Sequence, residues 1–367
     1  MRIAILGTRG IPGRYGGFET LAEELSARLA AWGHDVTVYG RPRYAEPGVS
    51  EWRGARIRVL PTVPTKYLET LVHGGISALD AMFERYDAVL FCNAINAAAC
   101  FLPRLSGRTR VVLNVDGLER NRRKWSVAGR WAYKVSERLS TIVPDAVVSD
   151  ARVIQDYYRQ RYGLDSVFIP YGGDLPRPAG RAALDRLGLS PGRYVLYVSR
   201  LEPENNADAV VRAYRDVRGD TPLVVVGDAP YAASYIARVR READARVRFP
   251  GAIYGEGYRE LLSNAAVYVQ ATEVGGTHPA LVEAMGFGRV VCYNRSAENE
   301  EVAGGAALPF DVTKPASLTS LLQAILDDPS SSSEWGEKAR RRVEERYRWE
   351  DVARRYEAVL DGKAVIS

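Results

Sequence analysis

The feature that most narrows what this chain can become is an alternation, run twice, of short β-branched segments with amphipathic helical stretches. The first series puts strands at Arg2–Leu6, Asp35–Tyr39, Arg56–Leu60, Asp87–Phe91, Arg110–Asn114 and Ala146–Ser149. Helical patterns lie between them; in Phe18–Trp32, Leu21, Leu25 and Leu29 recur every four residues. The second series has strands at Tyr194–Ser199, Pro222–Val226, Val247–Phe249, Val267–Val269 and Val290–Tyr293, with helices around Asn206–Asp216, Tyr231–Glu242, Tyr258–Ala265 and Pro279–Phe287. Strands separated by helices imply parallel sheets, because parallel neighbours need a crossover connection. The chain is therefore expected to be an α/β protein of two doubly wound, Rossmann-like domains, with ligands at the carboxyl ends of the strands and in the cleft between the domains. The expected boundaries are a first domain over 1–173, a Pro- and Gly-rich linker over 174–193 and a second domain over 194–345. A C-terminal helix over 346–367 is expected to pack back toward the first domain, as one of a charged helix pair.

The 367 residues suit two domains, each able to bury a core. With 46% hydrophobic and 26% charged residues the composition is that of a globular chain, not a disordered or fibrous one. Cys92, Cys100 and Cys292 stand in no CxxC or CxxH spacing, which excludes a disulfide framework and argues against structural zinc. His34, His73 and His278 are the only histidines, too few for a His-rich metal site. The apolar run Ile3–Leu6 is too short for a signal peptide, and no stretch approaches about 18 apolar residues. The expectation is a soluble, cytoplasmic protein.

Of the 50 basic residues, 44 are Arg, and the net charge is +5. A coding bias explains that number; contact with phosphates is the functional alternative, since Arg binds them bidentately. Position is more telling. Arg120, Arg122, Arg123, Lys124, Arg130, Lys134 and Arg138 face a single acid, Glu137, with Trp125, Trp131 and Tyr133 interleaved. A basic, aromatic helix of this kind can lie on anionic lipid or hold an anionic substrate, or simply be a solvated face. No nucleic-acid-binding motif accompanies it.

Three stretches carry chemistry. The first strand ends in Gly7-Thr8-Arg9-Gly10-Ile11-Pro12-Gly13-Arg14, and Gly16-Gly17-Phe18-Glu19 opens the next helix. Glycines at such a turn let an anion approach backbone N–H groups, or merely make the turn. A dinucleotide-binding dehydrogenase would need G-x-G-x-x-G and an acid after the second strand. Here the spacing is G-x-x-G-x-x-G and the second strand runs into Gly40-Arg41, so that reading fails. In the second stretch, Glu273-Val274-Gly275-Gly276-Thr277-His278 leads into a helix starting at Pro279, a favoured first-turn residue. N–H groups at that helix start suit a diphosphate, and Glu283, one turn in, suits a ribose hydroxyl pair. The third is Ser199-Arg200-Leu201-Glu202-Pro203-Glu204-Asn205-Asn206, in which Arg200 stands at a strand end, able to neutralise a departing diphosphate.

Arg200-Leu201 before an acidic helix start, and the glycine turn leading to Pro279…Glu283-Ala284-Met285, resemble the donor site of family-four retaining glycosyltransferases of the GT-B fold. Together with TRGIPGRYGGFET, Asn114-Val115-Asp116-Gly117-Leu118-Glu119, LEPENN and VGGTHPALVEAM, they resemble a bacterial subgroup containing polysaccharide rhamnosyltransferases, over nearly the whole chain.

That resemblance implies a metal-independent enzyme with no cofactor, whose partners are a nucleotide-sugar donor, with dTDP-L-rhamnose the best match, and a glycan or glycolipid acceptor at the cytoplasmic membrane face. Arg200 and Asp116 would be the catalytic pair: Arg200 would meet the diphosphate, and Asp116 would face the transferred sugar or the acceptor, with a role as base the hypothesis to test, while Glu283 would meet the ribose. Gly275, Gly276, Thr277, His278, Tyr254, Gly16 and Gly17 would line the donor. Arg9, Arg14, Glu119, Arg122, Lys124 and Trp125 would lie on the acceptor or membrane side. Two positions depart from the pattern. Asn205 stands where many relatives carry Lys, and Gly275 where they carry Glu. The competing readings are a nucleotide-sugar 2-epimerase of the same architecture and a non-catalytic sugar-nucleotide binder.

Overall fold

The computed structural model describes every residue except 15, 64, 66, 67, 118–126, 176–179, 230, 331 and 365–367, and gives the backbone alone at 127 and 128. The chain divides into two compact units, Met1–Tyr171 with Trp349–Ser367, and Gly172–Arg348.

The first unit holds β1 (Arg2–Leu6), α1 (Gly17–Ala31), β2 (Asp35–Gly40), β3 (Glu51–Trp52), β4 (Ala55–Val59), α2 (Glu69–Glu84), β5 (Ala88–Cys92), α3 (Phe101–Arg104), β6 (Arg110–Val115), α4 (Val127–Ser140), β7 (Ala146–Ser149), α5 (Arg152–Tyr162) and β8 (Val167–Phe168). Its sheet order is β3-β4-β2-β1-β5-β6-β7-β8, parallel except for the β3–β4 pair. Side chains alternate between its faces with the period of two that a pleated strand imposes. Ile3, Ile5, Val36, Val38, Leu90 and Val112 face α1, whereas Ala4, Leu6, Val89, Phe91, Val111 and Leu113 face Ala78 and Ala81 of α2 and Ile154 and Tyr158 of α5. Because both faces are covered, the strands read as continuous apolar runs.

The second unit holds α6 (Ala182–Leu187), β9 (Val195–Val198), α7 (Ala207–Arg215), β10 (Leu223–Val226), α8 (Ala233–Glu242), β11 (Val247–Gly251), α9 (Gly255–Asn264), β12 (Val267–Gln270), α10 (Pro279–Gly286), β13 (Val290–Asn294), α11 (Ala297–Ala303), β14 (Leu308–Phe310), α12 (Pro315–Asp327) and α13 (Ser333–Arg346). Its all-parallel order, β11-β10-β9-β12-β13-β14, reverses direction between β9 and β12. At such a switch point the loops after the two central strands diverge to opposite faces and leave a crevice for ligand.

α14 (Trp349–Leu360) belongs with the first unit. Trp349, Val352, Ala353, Tyr356, Val359 and Leu360 join the core under α1. Each large apolar side chain buried there contributes roughly 1.5–3 kcal/mol. Polar ties fix the register: His34 Nε2 meets Glu357 Oε1 at 2.7 Å, and Arg110 Nε donates to the Val359 carbonyl at 2.7 Å.

Two differences from the sequence expectation are physical. The stretch expected as a linker, 174–193, carries α6 and clusters with the second unit. Leu184 and Leu189 enter its core, and Ala183 N–H donates to Glu260 Oε2 at 2.6 Å. The unforeseen strands β3, β8 and β14 are two or three residues long, too short to display a period. The three cysteines are free and buried, and burial pushes the Cys292 thiol up to about 12. No helix among the described residues is long and apolar enough to cross a membrane.

Candidate active site

Both loops that flank the switch point of the second sheet carry residues the sequence singles out. After β9 the chain runs through Ser199, Arg200 and Leu201 into a single 3-10 turn, Pro203–Asn205, and enters α7. The loop is fastened from inside. Tyr197 Oη donates to the Asn205 carbonyl at 2.6 Å, Ser199 Oγ donates to Tyr197 Oη at 2.6 Å, and Asn205 Nδ2 donates to the Arg200 carbonyl at 2.6 Å. Gly227 after β10 permits this course, since a Cβ there would overlap the Ser199 carbonyl oxygen and its φ of 140° suits only glycine. Arg200 is left about a quarter exposed, with Nη1 3.7 Å from Glu202 Oε2. Asn205, the departure from the family's Lys, thus serves the backbone that aims Arg200 and adds no charge of its own.

The loop after β12 is laced to the first. Glu273 N–H donates to the Glu204 carbonyl at 3.1 Å, and Asn206 Nδ2 donates to the Ala271 carbonyl at 2.9 Å. The turn Gly275-Gly276-Thr277 then delivers the chain to α10, capped by His278 with Pro279 as its first residue and no acid in its first turn. The positive end of the helix dipole therefore faces the loop without a carboxylate from that turn to neutralise it. Glu283, half-buried one turn along, accepts a hydrogen bond from Tyr258 Oη at 2.6 Å. Burial, reinforced by that carboxylate, raises the Tyr258 phenol well above its ordinary range, so Tyr258 stays a donor. His278 Nδ1 lies 2.8 Å from Oδ1 of the fully buried Asn299. A Cβ at Gly275 would come within 2.5 Å of His278 Nε2, so the ring fills the space that a side chain at 275 would need. Tyr254 caps α9 beyond the edge strand β11, with its ring half exposed.

The sheet of the first unit also reverses direction, between β1 and β5. There the glycine loop closes on its own helix. Arg9 N–H donates to Glu19 Oε1 at 2.8 Å and Gly13 N–H to Glu23 Oε2 at 2.6 Å. Gly16 caps α1 and Gly17 begins it. Arg9 stacks on Tyr44 at 5.2 Å, and Arg14 pairs with Glu46. Arg41, which stands after the second strand where a dinucleotide-binding enzyme would carry an acid, is 2% exposed and 3.2 Å from Glu69, an internal ion pair. Asp116 directly follows β6 and is half-buried. Glu119, Arg122, Lys124 and Trp125 lie outside the described residues. α4 presents Arg130, Trp131, Lys134, Val135 and Arg138 on its exposed side, with Tyr133, Ser136 and Glu137 inward. Among the described residues no group of three or more His, Cys, Asp or Glu side chains is arranged to hold a metal ion.

Asn299 and Tyr258 escaped the sequence reading. They stand 21 residues after His278 and 25 before Glu283, on other elements, and no local spacing announces either pairing.

Residues 16–172 match the "Glycosyl transferase 4-like domain" family and residues 186–342 match "Glycosyl transferases group 1". Over 387 aligned residues, covering 98% of both chains, the sequence is 24% identical to a GDP-mannose-dependent alpha-(1-6)-phosphatidylinositol monomannoside mannosyltransferase of Mycolicibacterium smegmatis. A sucrose-phosphate synthase from Thermosynechococcus elongatus superposes with a TM-score of 0.82 at 19% identity, covering 99% of this chain and 98% of that one. Anabaena HepE in complex with UDP-glucose superposes with a TM-score of 0.79 at 16% identity, covering 99% and 100%. The chain, a group 1 glycosyltransferase domain following a 4-like one, is a glycosyltransferase of the GT-B fold.

Proposed function

We propose that the chain is a retaining, metal-independent hexosyltransferase that draws its sugar from a nucleoside diphosphate at the switch point of the second unit. The observation that carries this reading is the lacing of the Arg200 loop to the glycine turn before α10, with Glu283 one turn in. As the glycosidic bond to the diphosphate breaks, negative charge grows on the leaving phosphate. A preorganised guanidinium and a helix N-terminus aimed at that charge stabilise it without a cation. Glu283, its rotamer held by Tyr258, accepts from ribose hydroxyls. With the leaving phosphate taking the acceptor proton on the same face, no protein base is required. Asp116 then positions the sugar or the acceptor, and Asp116→Asn should keep near-normal turnover.

For the donor, the motif resemblance favours dTDP-L-rhamnose, whereas the Mycolicibacterium relative is named for GDP-mannose. For the acceptor we favour a lipid-linked or polysaccharide glycan at the cytoplasmic face of the membrane. The basic and apolar exposed side of α4 fits an anionic lipid surface.

A thermal-shift series with dTDP, GDP and UDP and their sugars tests the reading, because a ligand of the native state raises the melting temperature by mass action. A shift with one nucleotide family that Arg200→Ala abolishes, and transfer that persists in EDTA, are expected. Binding by dTDP-L-rhamnose selects the rhamnosyl reading; binding by GDP-mannose replaces it. Release of nucleoside diphosphate only when an acceptor is added separates transfer from the epimerase alternative, which would interconvert sugar nucleotides with no acceptor present, and binding without turnover on any acceptor would point to the binder.

A further inference from the structure

Beside the switch point of the first unit, the backbone is held against its preference at one residue. Asn93, directly after β5, has φ 74° and ψ 125°. Arg85 (φ 56°, ψ 58°) and Asn206 (φ 59°, ψ 33°) also carry positive φ, but in the left-handed helical well; Asn93 lies outside it, where any side chain is strained. The surroundings impose this course. Asn93 N–H donates to the Asn114 carbonyl of β6 at 3.0 Å, Asn96 N–H to the Asn93 carbonyl at 3.0 Å, and Asn96 Nδ2 to the Cys92 carbonyl at 2.7 Å. Two glycines close on the same turn: a Cβ at Gly7 would overlap the Cys92 carbonyl oxygen, and one at Gly74 the Asn96 amide.

Glycine would take such a backbone with less strain, so the side chain at 93 calls for a use of its own. Its oxygen has one: Oδ1 accepts from Ile95 N–H at 3.0 Å, which also fixes which end of the amide is nitrogen. Aspartate would cap that turn equally well. What asparagine adds is Nδ2, a donor on a half-buried side chain at the strand end, with no partner among the described residues. Cys92 pairs with Asn114 across β5 and β6, so Asn93 and Asp116 leave neighbouring strands at the same edge of the sheet. An amide donor beside a carboxylate suits a hydroxyl group, which accepts from the one and donates to the other; a phosphate would be repelled by Asp116.

We propose that Asn93 binds the acceptor: its Nδ2 donates to a hydroxyl oxygen of a neutral sugar unit seated at the carboxyl edge of the first sheet, beside Asp116. The inference rests on the transferase reading above and adds to its acceptor side a residue and the kind of group that residue holds.

The test uses the full chain, with n-octyl glycosides of D-mannose, D-glucose, D-galactose, L-rhamnose and N-acetyl-D-glucosamine as acceptor probes and GDP-mannose, UDP-glucose and dTDP-L-rhamnose as donors. Asn93→Asp keeps the cap and replaces the donor with an oxygen; Asn93→Gly removes the side chain and adds no charge. With the donor and glycoside that the wild type uses best, both should raise the acceptor KM about 5–10-fold, the factor of one lost hydrogen bond, and leave the donor KM within about twofold. Asn93→Gly should melt close to wild type, because relief of the backbone offsets the lost cap, and this separates the effect from unfolding. An unchanged acceptor KM in either variant, or an equal rise for donor and acceptor, overturns the proposal alone. So does a wild type that binds a nucleotide sugar yet transfers to none of the glycosides. A wild type that binds none of the three donors overturns the donor-site reading instead; Asn93 is then judged by saturation-transfer NMR of the same glycosides, and a signal that does not weaken in Asn93→Asp overturns its role as well.

Discussion

The two units carry the same local design, a sheet that reverses direction beside a glycine-bearing turn and the N-terminus of a helix, and they finish it in opposite ways. In the first, the turn is closed by its own helix: Glu19 and Glu23 of α1 accept from Arg9 and Gly13 N–H groups. In the second, the first turn of α10 has no acid, and the neighbouring loop brings Arg200. A carboxylate at a helix start offsets the dipole internally, and its absence leaves the dipole to an external anion. Glycine-rich turns alone therefore do not identify a phosphate site. What separates the two is the charge of the side chains that the fold returns to the turn.

The most direct way to break this contrast is to remove the cation. Arg200→Ala should lower kcat by about 10²–10³, roughly 3–4 kcal/mol, the usual cost of one transition-state-directed donor. The melting temperature without ligand should stay close to wild type, because Arg200 is partly exposed and its loop is fastened through main-chain carbonyls. A loss of activity matched by unfolding would place Arg200 in the scaffold.

Acid should distinguish the units next. His73 is fully buried in the first unit, with Nε2 3.0 Å from the Gly40 carbonyl. Burial and the neighbouring Arg41 cation lower its pKa to about 4. A histidine whose folded pKa lies below its unfolded value of about 6.5 prefers to be neutral when folded. Its contribution is whole above about pH 6.5 and is lost as pH falls from there toward 4, up to about 3 kcal/mol. The second unit has no buried histidine of this kind among its described residues; His278 is half-buried at the turn. Hydrogen exchange between pH 7 and 4 should show the first unit losing protection first, and His73→Gln should flatten that dependence. Equal loss in both units would remove His73 as the cause.

The carboxylates of the first turn can be tested by deletion. Glu19→Ala should cost about 1–3 kcal/mol of stability by stranding the Arg9 N–H. It should leave affinity for nucleoside diphosphates unchanged. A gain of phosphate binding on that substitution would mean that Glu19 occupies a true anion site, and the two turns would differ less than their side chains suggest.

How much of this was legible follows from the range of each signal. The long buried strands showed themselves as β-branched runs between helical periods, and the order of the motifs carried the fold. α6 was hidden because Pro and Gly on either side of 182–187 read as linker, while its stability comes from Glu260 and the core of another helix. At the site, Arg200, Glu283 and the glycine turn were visible as types in sequence. The contacts that orient them were not, because Asn205 works through a carbonyl and Asn299 reaches His278 from a separate helix. Residues that act on a ligand leave a motif; residues that aim them leave only a distance.

Tyr258→Phe gives the smallest expected effect and the most selective one. The substitution keeps the ring in its buried place and removes a single hydrogen bond, the 2.6 Å contact to Glu283 Oε2. That bond is charge-assisted, which sets its worth at about 1.5–3 kcal/mol when both partners are withheld from water. Glu283 is only half-buried, so water recovers part of the loss and about 1 kcal/mol is expected. If the carboxylate serves the ribose, the cost should fall on binding: KM for the donor and Kd for the diphosphate should rise together about fivefold, with kcat nearly unchanged. A fall in kcat with KM and Kd unchanged would take Glu283 away from the ribose and place it beside the reacting centre.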